Sequence, residues 1–182
     1  MQYAIELYFD PETEEALFSL SRGIAEKGIS TKFLEWKTRP HLTLACFSDV
    51  DEKACAQALR VFAESHAALP AYIGSVGMFP DTKTIFVSPI MTQAMNAFQR
   101  EVHECMQDFD SSAYAWYHPG RWVPHCTVAL TKDDAPDAPD AFYRASDLVL
   151  HTFRKLAGRF TSVGLVKVSF PVEELFTADL NG

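Results

Sequence analysis

The stretches Pro40-His41-Leu42-Thr43-Leu44 and Pro124-His125-Cys126-Thr127-Val128 follow one rule: proline, histidine, any residue, threonine, apolar residue. The second histidine stands 84 residues after the first. Imidazole is the side chain that gains or loses its proton near neutral pH, and a threonine hydroxyl is a short hydrogen-bond donor. Two of each in one place suit an in-line displacement at a phosphodiester. A neutral imidazole takes the proton of the attacking oxygen, and a protonated one delivers a proton to the leaving oxygen. The two hydroxyls then donate to the non-bridging oxygens. Catalytic zinc usually takes three protein ligands, and neither motif brings a third at close spacing. No metal and no cofactor is therefore expected at His41, Thr43, His125 and Thr127.

Period-two alternation in a strand puts His41 and Thr43 on one face, with Leu42 and Leu44 on the other. His125 and Thr127 likewise oppose Cys126 and Val128. Each motif strand thus has an apolar side for a core and a polar side for chemistry. Aromatic residues gather just before both motifs: Phe33 and Trp36 before the first, Trp116, Tyr117 and Trp122 before the second. A ring beside a phosphate site can stack a base. Arg39 and Arg121, two and four residues ahead of their histidines, can steer an anion inward. Histidines 66, 103, 118 and 151 have no such partner; 66, 103 and 151 fall on predicted helices and are expected to be solvated. His118 lies in the loop before the second motif, from which it could approach the cleft.

The elements that must position these groups alternate. Tyr3 to Phe9 is a β-branched and aromatic run fit for a buried strand. Asp10 then caps a helix with Pro11 at its first position and acids in the first turn, closed at Lys27-Gly28. A strand begins near His41, a helix runs from about Asp51 to His66, and strands follow at Tyr72 to Phe79 and Thr84 to Ile90. The order then recurs. Met95, Phe98, Val102, Cys105 and Phe109 space out a helix, a strand begins at His125, and a polar loop covers 131–140. A helix is expected from about Ala141 to Leu156, ending at Gly158, with strands at Phe160 to Phe170 and Glu173 to Thr177. Ser-Val-Gly at 75–77 is echoed by Ser-Val-Gly at 162–164. The chain reads as one bilobal domain over 1–182, with similar halves of about 1–80 and 81–182 facing each other across a pseudo-two-fold.

Composition bounds the partners. About half of the 182 residues are apolar, enough for a core, while the net charge of −8 and pI near 5.2 offer no basic surface for a long nucleic acid. The end of an oligonucleotide or a small nucleotide remains open to it. Four scattered cysteines without CxxC spacing indicate neither a zinc knuckle nor a disulfide framework. With no apolar run near twenty residues and no basic leader, the chain is expected to be cytoplasmic and to have no membrane partner.

Through His41-Leu42-Thr43-Leu44 and His125-Cys126-Thr127-Val128 the chain resembles the 2H phosphoesterases, the superfamily of 2′,5′ RNA ligase-like proteins and cyclic nucleotide phosphodiesterases. The resemblance extends over nearly the whole chain, since the order of elements is also similar. It implies a bilobal α+β fold, two antiparallel sheets facing a central cleft with helices outside. It implies metal-independent hydrolysis of a 2′,3′-cyclic phosphate or 2′,5′-phosphodiester on a nucleotide or short RNA end. His41 and His125 would be the acid–base pair, Thr43 and Thr127 the phosphate ligands, and Arg39, Trp36, Trp122, Lys132 and Arg121 the candidates for holding substrate. One departure stands out. RNA ligase-like members often carry an arginine three residues after the second threonine; here that residue is Leu130, and Lys132, Arg39 and Arg121 are the nearby candidates to take its place. Two alternatives share the same residues: ligation by the reverse reaction, and a binding protein that holds a nucleotide or RNA end without turnover.

Overall fold

A computed structural model describes residues 2–132 and 140–181, so most of the expected 131–140 loop lies outside the described residues. Strand β1 spans Tyr3–Phe9 and is buried along its whole length. Helix α1, Pro11–Glu26, starts where the sequence marks it: the Asp10 carboxylate accepts from the Thr13 backbone N–H, and Leu17, Ser21 and Ile24 turn inward. Past its end Gly28 takes φ +62°, the left-handed value that lets the chain reverse at little cost. A single turn, α2 (Lys32–Glu35), precedes β2 (His41–Phe47). Next come α3 (Glu52–Ser65), β3 (Leu69–Phe79), β4 (Thr84–Pro89) and α4 (Gln93–Cys105). Two 3₁₀ turns, Gln107–Ser112 and Ala115–Tyr117, lead to β5 (Cys126–Leu130), α5 (Ala141–Thr152), β6 (Leu156–Lys167) and β7 (Glu173–Asp179).

The fold is α+β with every strand pair antiparallel. The two expected sheets are joined into one by β6. Its first residues, Leu156 to Phe160, pair with β3, while Phe160 to Lys167 pair with β1 and carry β7 on the opposite edge. The strand order is β2-β1-β6-β3-β4-β5, so the two motif strands are the two ends of the path. The sheet curls until they meet, and the buried Cys126 thiol lies against the His41 backbone.

The helix expected to end at Gly158 stops at Thr152, and Gly158 sits inside β6. A Cβ there would lie 1.9 Å from the Thr13 hydroxyl, so this glycine admits the start of α1 against the strand and does not cap a helix. The helices cross over between halves. Helix α1 packs on β5 and α4 packs on β2, so the first helix of each half braces the motif strand of the other. Among the described residues no helix is long and apolar enough to cross a membrane.

Candidate active site

Both motif strands carry the same irregularity. Pairing of β1 with β2 runs Ile5–Ala45 and then Glu6–Thr43, skipping Leu44; pairing of β4 with β5 runs Ile85–Ala129 and then Phe86–Thr127, skipping Val128. A β-bulge thus follows each threonine, which bends an edge strand and re-aims its side chains. Leu44 and Ala45, and Val128 and Ala129, are buried in succession, while His41, Thr43, His125 and Thr127 stay half-buried on the other face. Edge carbonyls at the two bulges are capped by the crossed-over helices: Ser21 of α1 donates to Val128 O at 2.8 Å, and Gln99 and His103 of α4 approach Leu44 O at 3.3 and 3.2 Å. Trp122 Nε1 donates to Thr43 O at 2.8 Å. Free strand edges are a liability, and here both are covered where the chemistry needs a fixed backbone.

The two imidazoles hang in the same way. His41 Nδ1 lies 2.6 Å from Arg39 O, and His125 Nδ1 lies 2.7 Å from Val123 O, each carbonyl two residues upstream. A carbonyl only accepts, so in both rings the Nδ1 position carries hydrogen and Nε2 is left for chemistry. Their surroundings then differ. His41 Nε2 is 3.3 Å from Glu6 Oε1, a carboxylate 4 % exposed in the middle of β1. His125 is walled by the Phe79 and Phe86 rings, at 4.9 and 5.3 Å between centroids, and has no carboxylate partner among the described residues. Burial pushes the pKa of His125 down, and the nearby charge of His41 pushes it the same way. The motif strands meet, but His41 and His125 line different cavities.

Glu6 escaped the sequence reading. Burial raises the pKa of its carboxyl, opposed by the charge of His41 and a hydrogen bond from Tyr8. Tyr8 is fixed in turn by Gly164, where a Cβ would come within 2.5 Å of its ring, and by the Arg39 guanidinium 4.2 Å above its face. A lone acid inside the apolar run Tyr-Ala-Ile-Glu-Leu-Tyr-Phe was the available signal, since a buried strand seldom carries a charge without a partner.

Two cavities adjoin the motifs. One, about 260 Å³, is lined by Glu6, Trp36, Thr38, His41, Thr43, Thr127 and Leu130 among others. The other, about 520 Å³, is lined by Phe79, Trp116, Tyr117, Arg121, Trp122 and His125 among others. Trp36 thus joins His41 and both threonines, and Trp122 and Arg121 join His125. Arg39 lines neither cavity: its guanidinium is bound to Glu14 at 2.8–3.3 Å, approaches Glu174 at 3.8 Å and covers Tyr8, while its carbonyl holds His41. Lys132 stands exposed past the end of β5 and lines neither cavity. Among the described residues no lysine or arginine lines the smaller cavity, where Leu130 supplies apolar wall. His66 and His103 are not solvated as expected. His66 stacks on Phe62 and pairs with Glu101 at 2.9 Å, and His103 is 8 % exposed beneath β2. His118 faces His103 and lines neither cavity.

An α+β sheet curled to bring two His-x-Thr edge strands together defines a class as well as a geometry. The chain belongs to the 2′-5′ RNA ligase superfamily, whose family model matches residues 30–168, and the resemblance to the 2H phosphoesterases holds. Among solved structures it is similar to TT0787 of Thermus thermophilus, with 18 % identity, TM-score 0.61 and coverage of 100 % of this chain and 99 % of that one. It is also similar to E. coli LigT complexed with ATP (14 % identity, TM-score 0.56, coverage 100 % and 98 %). A structure described as a phosphoesterase is similar at 13 % identity, TM-score 0.57 and coverage of 100 % and 98 %. At these identities the likeness is one of fold. No curated protein sequence matches the chain.

Proposed function

We propose that the chain is a metal-independent phosphodiesterase that opens a 2′,3′-cyclic phosphate or a 2′,5′-linkage on a nucleotide or short RNA end. The observation that carries the reading is the asymmetry between two identically hung imidazoles. With Nδ1 of His41 committed to a carbonyl and Nε2 facing the Glu6 carboxyl, the His41–Glu6 pair holds a proton between them. His41 is the acid. His125, desolvated by aromatic rings and beside the charge of His41, is the imidazole kept neutral and is the base.

In the proposed reaction His125 Nε2 takes a proton from water as the water oxygen bonds to phosphorus. The phosphorus–oxygen bond to the ribose breaks on the opposite side, and His41 gives its proton to the departing oxygen. A phosphomonoester and a free hydroxyl result. Thr43 and Thr127 donate to the non-bridging oxygens, replacing part of the hydration that the diester loses on entry. With a 5′-hydroxyl in place of water, the same two proton transfers would join it to a 2′,3′-cyclic phosphate as the ring oxygen leaves.

The charge balance of the smaller cavity favours this substrate class. With Glu6 and the apolar Leu130 in its wall and no lysine or arginine among its described lining, it suits the single charge of a diester better than the double charge of the monoester product. The larger cavity supplies tryptophan and tyrosine faces for a base, with Arg121 at its rim. E. coli LigT, of similar fold, has been described with ATP and with 3′-AMP, in keeping with a nucleotide ligand. Four free cysteines are in keeping with a reducing, cytoplasmic setting. The test is to incubate the protein with 2′,3′-cyclic nucleotides and 2′,5′-linked dinucleotides in the presence of a chelator and identify the product isomer by phosphorus NMR. One monophosphate isomer is expected; binding without product from any of them overturns the reading.

A further inference from the structure

At the edge of β2 beside Leu44, three metal-ligating side chains that line neither cavity converge. His103 comes from α4, Asp110 from the first 3₁₀ turn, and His118 from the residue after the second. One ligand atom from each lies within 4.8 Å of the other two, and the two imidazole centroids are 5.2 Å apart. The Asp110 carboxylate and the His118 imidazole make no hydrogen bond or ion pair with any described residue.

The backbone that presents them is already fixed. Tyr114 N–H donates to Cys46 O, Ser48 N–H donates to Ser112 O, and Ala113 bridges Phe47, so the 3₁₀ segment is stitched to the end of β2. His103 has the outer-shell partner expected of a metal-bound histidine: its Nε2–H donates to Leu44 O at 3.2 Å. The ring also hydrogen-bonds the Tyr117 carbonyl, which shares the Gln99 amide with Leu44 O; with Nε2–H serving both carbonyls, Nδ1 keeps its lone pair for an ion. Ligands about 2.0–2.1 Å from a tetrahedral ion lie about 3.4 Å apart. Closing from 4.8 Å would fall to the Asp110 and His118 side chains, exposed and half-buried respectively.

We propose that His103, Asp110 and His118 form a binding site for a divalent transition-metal ion, zinc in the first instance, with water completing the tetrahedron. Two imidazoles and one carboxylate favour zinc, cobalt or nickel over magnesium or calcium. None of the three residues lines either cavity, so the ion takes no part in the phosphodiester chemistry. It would fasten α4 to the segment that leads into Trp116, Tyr117 and Arg121, and so stiffen one wall of the aromatic cavity.

The test is calorimetric titration of the full-length, chelator-stripped protein with Zn²⁺. One ion per chain is expected, with a higher melting temperature when it is bound, and no comparable binding of Mg²⁺. His118→Ala and Asp110→Asn should each weaken binding beyond the about 10–100-fold that loss of an outer-shell partner costs. Both residues are accessible enough for the variants to fold, whereas His103→Ala opens a hole under β2. His151→Ala, far from the cluster on α5, should bind as the parent does. Absence of saturable binding, equal binding of Mg²⁺, or binding unchanged in the Asp110→Asn/His118→Ala double variant each overturns the proposal. Turnover by His118→Ala in chelator is read separately and bears only on the phosphodiesterase reading.

Discussion

Glu6 Oε1 lies 3.3 Å from Nε2 of His41, while Nδ1 of the same ring is held by the Arg39 carbonyl. A neutral ring cannot satisfy both neighbours with one hydrogen if the carboxylate is ionised, so the pair must carry an extra proton. His125 has the same Nδ1 anchor and no carboxylate among the described residues, and its environment disfavours charge. One strand residue thus turns a symmetric pair of histidines into an acid and a base.

Glu6→Gln should separate those roles. It removes the carboxyl that faces His41 Nε2, so kcat/KM should fall while the acid limb, which belongs to His125, stays. A profile superimposable on the parent's would show that Glu6 is packing alone.

The same carboxyl makes a prediction about stability. Burial raises its pKa, so the folded protein keeps the Glu6 proton to higher pH than the unfolded chain does. Its contribution is full below the ordinary glutamate value of about 4.3 and is lost as pH rises through the raised value. The melting temperature of Glu6→Gln relative to the parent should therefore climb as pH rises above about 4.3. A difference that stays flat with pH contradicts the assignment of Glu6 as a buried, titrating group.

For the parent enzyme, the acid limb reports protonation of the base. Because burial and the charge of His41 both lower the pKa of His125, activity should fall only below about pH 6.5, the unperturbed histidine value. An acid limb above that value would point to another group.

Base stacking is tested at Trp116, 77 % exposed on the wall of the aromatic cavity. Trp116→Ala should raise KM about 5–150-fold, the equivalent of about 1–3 kcal/mol of stacking, with kcat little changed. Trp122 is the less clean choice, since its indole also holds Thr43 O. An unchanged KM across purine and pyrimidine substrates would remove the base from this cavity.

Much of this site was legible from residue types and spacing. The strand Tyr3–Phe9, the Asp10-Pro11 helix start and the half-buried His-x-Thr faces all follow from local rules, because caps and period-two alternation act within a few residues. The two bulges left a trace in the paired apolar residues Leu44-Ala45 and Val128-Ala129, which break the alternation. What local pattern cannot state is the partner. Amphipathicity says that α1 buries Leu17 and Ile24, not that it covers the far motif strand, and a glycine at 158 reads equally as a helix stop or a close approach. Arg39 read as a phosphate ligand because Glu14 and Glu174, which bind it, are distant in sequence. His103 read as solvated for the same reason: its partner is the Leu44 carbonyl, 59 residues away.

The central claim is that His41 and His125 act together on one phosphodiester, and turnover by their alanine variants tests it most directly. Each single variant should lose about 10²–10⁴ in rate on whichever cyclic or 2′,5′-linked substrate the parent cleaves. The double variant should lose less than the product of the two, because groups that work as a unit are not additive. His151→Ala, exposed on α5, should keep the parent rate. Turnover at the parent rate by the folded His41→Ala/His125→Ala double variant would contradict the account, leaving the paired motifs as a structural repeat.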